Sequence, residues 1–412
     1  MKRIVITGVG AACAFGGWEA FRRSVRDGHS GVSGIRLFQP NGLKSRVASQ
    51  TGDRLLASIE VTKETKLYSR AVRHAVVAAK EAFETAGLDP KAFTEEEALD
   101  TAVYIGSGGG GIDIQESQYE IFFGASKKKV SPFAIPVSLV GMVSSELSTS
   151  FGLLGPSQVI STGCTSSTDA IGQGAWMMRT GAVKRALVGG TDACITPGLM
   201  TAFDRMGVVS TRFNDTPRNA SRPFSRERDG FVLGEGSWMF VLETLEDAIN
   251  RGAPIFAEVA GWAANCEAGH RVRMNEDGKM PARAMTKAME NAEVNREDVS
   301  YISFHGTGTL LNDAVETRAM KIVFGARPPA GSSPKSMLGH PQGSCGAMGL
   351  AATLAGMGEG FLPPTINLES PDPECDLDYI PCEARDGAIE TALLNCMGFG
   401  SRNSALVVKK FK

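Results

Sequence analysis

The sequence predicts an α/β fold built from two similar halves, and two observations carry that prediction. Short runs of β-branched and aliphatic residues alternate along the chain with longer segments of helical periodicity, the pattern of strands and helices packed in layers. The pattern also restarts. The opening KRIVITGVG, an apolar run closed by glycines, has a counterpart in IFAEVAG at 255–261, which divides the chain into a first half, 1–252, and a second, 253–412.

In order, residues 4–7 read as a strand, and Gly8-Val9-Gly10 as the turn out of it. No GxGxxG follows, so this is not a dinucleotide fingerprint. A helix is expected over 18–27 and a loop over 28–34. Residues 63–86 form a long amphipathic pattern with an Ala-rich buried face, Lys63, Lys66, Arg70 and Arg73 outside, and Gly87 as its stop. The strand at 102–105 runs into GSGGGG at 106–111, a glycine run that lets backbone approach something closely but lacks the Lys-Ser/Thr of a phosphate loop. The lysines at 127–129 read on their own as a solvated loop. Val159 and Ile160 read as a buried strand, followed by the small-residue corner 161–166 and a helix whose Ala170, Ile171, Gly174, Ala175 and Met178 share one face. Residues 185–190 and 238–242 are strands, 245–251 a helix, and the turn- and charge-rich 210–236 a long ordered loop. The second half continues with helices at 283–292, 313–323 and 347–358. Its strands lie at 299–304, 392–396 and 404–409, the last two flanking MGFGSRN.

With 412 residues, 42% hydrophobic, 48 Gly and 19 Pro, the chain has material for a large, loop-rich core. A formal net charge of −2 argues against a nucleic-acid binder. The eight Cys are scattered, with no CxxC and no His/Cys cluster at zinc spacing, which predicts reduced thiols, a cytoplasmic location and no metal site. No stretch is apolar enough to span a membrane, and the N-terminus reads as a strand rather than a signal peptide.

The chemistry concentrates at three glycine-flanked corners. Cys164 falls where a strand meets a helix N-terminus, where free N–H groups and the dipole favour a thiolate. The plain alternative is an inert buried cysteine. His305 lies in YISFHGTGT and His340 in KSMLGHPQGSCGAMG, two of only five histidines. A Cys with one His is the thiol-nucleophile theme, and a second His can polarise a carbonyl oxygen. His29, His74 and His270 have no such setting, and His74, inside the helix, reads as structural.

The runs STGCTSSTDA, HGTGTLLNDAVE, PKSMLGHPQGSCGA and MGFGSRN, together with RPFSRERDGFVLGEG and PPTINLESPDPECDLDYIP, resemble the β-ketoacyl synthases, the condensing enzymes of fatty-acid and polyketide assembly. The resemblance covers essentially the whole chain. It implies a thiolase-like fold, two related halves in αβαβα layers, usually dimeric. It implies Cys164 as the acyl-accepting nucleophile and His305 and His340 as the pair that assists loss of CO₂ from a malonyl thioester. The N–H groups of Cys164 and Phe399 are then the oxyanion hole. Lys335 resembles the family lysine before the second His and Glu316 its acidic partner, with a structural ion pair as the plain alternative. Substrates are expected on the phosphopantetheine of an acyl carrier protein, with no other cofactor, and Lys63, Lys66, Arg70, Lys128 and Lys129 as a basic docking rim.

Three positions depart from the family pattern around its acyl pocket: Ser401-Arg402 in GFGSRN, EAGHRV at 267–272, and Gly109, where fatty-acid members tend to carry a bulky residue. An open tunnel past Gly109 is the expectation. STGCTS and DPECDLDYIP look closest to the ketosynthase α subunits of type II polyketide synthases, with a homodimer or a chain-length-factor homologue as partner. The alternatives are a fatty-acid β-ketoacyl-ACP synthase II, a thiolase (which GHPQG and Cys396 also suit), and a non-catalytic chain-length factor, against which Cys164 argues.

Overall fold

Each half of the chain contributes five strands to one mixed sheet, in a computed structural model that describes residues 2–124 and 129–411. The first half supplies β1 (Ile4–Cys13), β2 (Thr101–Gly106), β3 (Ser157–Ile160), β4 (Arg185–Ala193) and β5 (Leu233–Thr244). The second supplies β6 (Ala257–Cys266), β7 (Tyr301–Ser303), β8 (Gly331–Ser332), β9 (Thr391–Gly398) and β10 (Arg402–Lys409). Their order across the sheet is β8-β7-β9-β10-β6-β1-β5-β4-β2-β3. Numbered within each half, this is 3-2-4-5-1 meeting 1-5-4-2-3. The parallel and antiparallel pairings match as well. The halves meet where β1 and β6 pair antiparallel, Val5 opposite Glu258 and Ile6 opposite Ala257. Two short strands, Val32–Gly34 and Val47–Ser49, attach beside the start of β5.

Five helices complete the layers: α1 (Arg70–Thr85), α2 (Ser166–Arg179), α3 (Lys279–Asn291), α4 (Leu310–Phe324) and α5 (Cys345–Glu359). The helices α2 and α5 touch each other and strands of both halves, so they form the middle layer. The helix α1 covers the first half's outer face, and α3 with α4 the second half's. This is the αβαβα arrangement. In this middle layer α2 exposes Trp176 near its C-terminal end, while α5 is buried from Cys345 to Met357 apart from Gly346. Small residues permit that: a Cβ on Gly172 of α2 would lie 2.2 Å from the Trp262 ring.

The sequence-level boundaries shift for identifiable reasons. The first strand does not end at its glycines but runs to Cys13. Gly8 and Gly10 sit inside it because α1 crosses so closely that a Cβ on either would lie 2.1 Å from Ala82 O or 2.0 Å from Ala78 O. The expected helix over 63–86 starts only at Arg70, capped by Ser69, whose hydroxyl accepts from the Val72 N–H. Before it, Thr62 and Thr65 hydrogen-bond to each other and hold a turn and a 3-10 segment, Thr65–Leu67. The loop expected over 210–236 gives way to β5 at Leu233, and the part before it is ordered by buried Arg228, which pairs with Asp372 at 2.6 Å, and by Phe224, stacked on Tyr379 at 3.8 Å. Among the described residues no helix is long and apolar enough to cross a membrane.

Candidate active site

Cys164 lies in a 3-10 turn, Gly163–Thr165, between β3 and α2. Gly163 makes the corner with φ +71°. His305 follows β7, and His340 follows β8 through the short helix Lys335–Leu338. The two halves therefore deliver the three residues from the equivalent ends of their parallel strands, the usual place for a site in such sheets. His340 Nε2 is 3.2 Å from Cys164 Sγ. The His305 and His340 rings stand perpendicular with centroids 5.5 Å apart. All three residues are buried, and all three line one cavity of about 300 Å³ whose wall is mostly apolar, with Met206, Phe231 and Phe399 among its members.

Each histidine is held by its backbone. The His340 N–H donates to Val232 O at 2.7 Å, its carbonyl accepts from Gly234, and its ring packs edge-on against Phe231. The His305 turn rests on Glu316 of α4: the N–H groups of His305 and Gly306 donate to its two carboxylate oxygens at 2.6 and 2.8 Å, and the Asn395 amide adds a third donor at 2.6 Å. Lys335 Nζ donates to His305 O at 2.6 Å and lies 3.4 Å from Nδ1. Lys335 and Glu316 are thus not partners of one another. Each braces the His305 turn, so the expected structural ion pair between them is replaced by two separate supports.

Electrostatics follow from burial. The imidazoles of His305 and His340 are held well below their ordinary value, first by desolvation and then by the Lys335 charge, so both are neutral near pH 7. The Cys164 thiol is pushed up to about 12 by burial, and Lys335 and the Phe399 N–H recover only part of that shift. The expected resting thiolate is replaced by a protonated thiol, because burial disfavours the charged form. Burial also raises the Glu316 carboxyl to about 7.

The Phe399 N–H lies against Cys164, and a Cβ on Gly398 would sit 3.2 Å from the Cys164 N. The β9–β10 hairpin that carries Phe399 turns through Gly400 and Ser401, both at positive φ. Ser401 Oγ donates to His270 O at 2.6 Å and accepts from the His270 N–H, and the Gly400 N–H donates to Arg271 O. Two of the departures singled out in the sequence, GFGSRN and EAGHRV, therefore form one clamp at the cavity, where Val272, Arg273 and Met274 complete the wall.

Other expected residues fall elsewhere. Gly109 is not on this cavity. Its N–H donates to Asp192, and a Cβ would lie 2.5 Å from Cys194 Sγ, so the missing side chain leaves filled space rather than an open tunnel. Arg70 turns inward onto Glu235 at 2.6 and 2.8 Å and is no part of an exposed rim. Lys63, Lys66 and Lys129 are exposed. Lys128 lies outside the described residues. Arg273, exposed and on the cavity wall, is the basic residue at the mouth that sequence reasoning missed. Asp192 was missed too: it collects Ser107 Oγ and the N–H groups of Gly108, Gly109 and Gly343, fastening the glycine run to the His340 loop. Its only signal was an acid ending the apolar run RALVGGTDA. Cys396, the residue suggestive of a thiolase, is not on the cavity wall.

Known proteins resemble this chain along its length. Residues 1–248 match the β-ketoacyl synthase N-terminal domain, and residues 256–369 the C-terminal domain. The chain is 38% identical to 3-oxoacyl-[acyl-carrier-protein] synthase 2 of Synechocystis over 100% of this chain and 99% of that protein. It is 39% identical to the tetracenomycin polyketide synthase ketoacyl synthase α subunit of Streptomyces glaucescens, over 100% and 98%. Among solved structures, the ishigamide ketosynthase/chain length factor superposes with a TM-score of 0.92 at 30% identity, with full coverage of both chains. A type II polyketide synthase acyl-carrier protein in complex with its hexaketide-bound ketosynthase gives 0.90 at 30% identity, again with full coverage of both chains. With both family domains matched along the chain and relatives 38% and 39% identical over its full length, the chain belongs to the β-ketoacyl synthase family of condensing enzymes.

Proposed function

We propose that this enzyme extends carrier-bound acyl chains by decarboxylative condensation, as the ketosynthase α subunit of a type II polyketide synthase. The observation that carries the chemistry is the approach of Cys164 Sγ to His340 Nε2 at 3.2 Å, with His305 facing the same cavity. In the first half-reaction Cys164 attacks an acyl thioester; the acyl group moves to its sulfur, and the displaced carrier thiol leaves with the proton. Because the thiol is held near 12, deprotonation accompanies attack, with His340 in place to receive the proton. A malonyl thioester then enters and loses CO₂. The electron pair left behind spreads onto the thioester oxygen, where imidazole N–H groups of His305 and His340 stabilise it. A neutral ring carries one N–H to donate and one bare nitrogen that can accept a proton, which an imidazolium lacks. The carbanion attacks the Cys164 thioester, and the new alkoxide sits between the N–H groups of Cys164 and Phe399. Collapse releases the β-ketoacyl thioester, two carbons longer, and Cys164 is reprotonated from water.

The polyketide assignment rests on STGCTS and DPECDLDYIP and on the polyketide relatives. The fatty-acid reading stands beside it, because the two kinds of relative are equally similar. The acyl carrier protein docks on the exposed basic residues Lys63, Lys66 and Lys129, together with Lys128 of the same lysine run, and with Arg273 at the mouth. The protein works in the cytoplasm as a dimer, with itself or a chain-length-factor homologue. In support, β3 is one of the sheet's two edge strands, with Ser157 and Gln158 exposed, and Phe122, Phe123 and Ile135 lie exposed in the same half. Intact-protein mass spectrometry with acyl and malonyl carrier proteins tests the reading. An adduct on Cys164 that malonyl carrier discharges supports it. Product formation from acetyl-CoA alone returns the thiolase alternative.

A further inference from the structure

Beneath the nucleophile, on the side away from the cavity, the fold gathers a second set of soft donors. Cys345 opens α5 and Cys396 lies in β9, and both are buried. Their sulfurs are 3.7 Å apart, and Cys396 Sγ is 3.6 Å from His305 Nδ1. Both S–H groups donate to the carbonyl oxygen of Cys164, at 3.2 and 3.1 Å. The three ligand atoms, one each from His305, Cys345 and Cys396, all lie within 4.8 Å of one another. A tetrahedral Zn²⁺ with Zn–S of about 2.3 Å and Zn–N of about 2.05 Å sets two sulfurs about 3.8 Å apart, and a sulfur and an imidazole nitrogen about 3.6 Å apart. Two edges of the triangle already have those lengths. Next to it lies a cavity of about 10 Å³ lined by Cys345, Cys396, Lys335 and Asn395, and Asn395 Oδ1 has no hydrogen-bond partner.

We propose that His305, Cys345 and Cys396 form a buried site for one Zn²⁺-type cation, with the Cys164 carbonyl oxygen as its fourth ligand. Binding replaces the two S–H protons, which leave to solvent: one Zn²⁺ and two thiols give a bis-thiolate complex and two protons. The two thiolates cancel the ion's charge, so Lys335 faces a neutral centre. It gives up its contact with Nδ1 and keeps its bond to the His305 carbonyl. Occupation fixes His305 by Nδ1 and pulls on the Cys164 backbone, so the filled enzyme loses condensation. A second triangle, Cys164 with His305 and His340, competes for the same description. It offers one sulfur instead of two, and the softer set is the better zinc site.

Cobalt substitution separates the two. The full chain, kept reduced with a phosphine, is titrated with Co²⁺ and then Zn²⁺. Wild type and Cys164→Ala, which keeps the backbone carbonyl, are expected to bind one equivalent with an intense sulfur-to-cobalt charge-transfer band. Cys345→Ala and Cys396→Ser each lose that band and more than about 100-fold in affinity. X-ray absorption of the wild-type zinc form should show two sulfurs and one imidazole, which needs no variant to fold. No band in wild type, a band that survives in both Cys345→Ala and Cys396→Ser, or a band lost in Cys164→Ala overturns the proposal.

Discussion

Replacing Glu316 with Gln tests whether the His305 turn must be held by a carboxylate. Three donors converge on that group: the His305 and Gly306 N–H groups and the Asn395 amide, at 2.6, 2.8 and 2.6 Å. A glutamine keeps one acceptor oxygen and turns an NH₂ towards a donor, so one bond to a charged group is lost and one buried N–H is left facing another. Such a loss is about 1.5–3 kcal/mol. At about 1.4 kcal/mol per factor of ten, malonyl decarboxylation should fall by ~10–100-fold if that energy holds His305 in place. KM should change little, because Glu316 does not line the cavity. The pH profile gives the second readout. Burial holds the Glu316 carboxyl near 7, and its protonated form cannot accept all three bonds, so wild-type decarboxylation should decline as pH falls through about 7. The two histidines, held well below their ordinary value, do not titrate there. CO₂ release from malonyl carrier between pH 5 and 9 measures both effects. A Glu316→Gln enzyme with the wild-type rate, or one that keeps the acid limb unchanged, refutes the reasoning.

His305→Ala should slow decarboxylation by ~10²–10³-fold, the usual size for one lost donor to a developing oxyanion, while acylation of Cys164 suffers less. His340→Ala should slow both half-reactions, because His340 also receives the Cys164 proton. Equal loss of both half-reactions in His305→Ala would make His305 structural. Alkylation of Cys164 by iodoacetamide should climb about tenfold per pH unit from 7 to 9 without levelling, because the thiol is held at about 12; a plateau below pH 8 would show a resting thiolate instead. Reversing charge at Lys63, Lys66 and Arg273 should raise KM for carrier-bound substrate and spare a small free thioester, with the effect shrinking in salt. An unchanged KM would leave these as ordinary solvated side chains.

How far the sequence could be read depended on the length scale of each feature. Periodicity and glycine-flanked corners were local, so the layers and the corner positions of Cys164, His305 and His340 were visible in it. Contacts between distant segments were not. Gly8 and Gly10 looked like turn glycines because nothing local says that α1 crosses too closely there to leave room for a Cβ. Arg70 looked exposed because its partner, Glu235, is 165 residues away. Gly109 looked like a gap because Cys194 Sγ, which fills it, belongs to a different segment; Gly109→Ile is now expected to collide there rather than report on chain length. The resting thiol follows from the burial of Cys164, which a helix N-terminus does not reveal. Cys345 and Cys396 carry no spacing signal at all: 51 residues separate them, and only the packing of α5 against β9 brings their sulfurs together.

The central claim is that Cys164 carries the chain and the two histidines hold the enolate. Single-turnover mass spectrometry addresses it most directly. The enzyme is loaded with an acyl carrier protein, stripped of excess, and mixed with isotopically labelled malonyl carrier. The account predicts one acyl group on the Cys164 peptide, then its loss in step with one labelled CO₂ and one β-ketoacyl carrier two carbons longer. An adduct on Cys345, Cys396 or any other residue, or CO₂ release that leaves the Cys164 adduct in place, would contradict it.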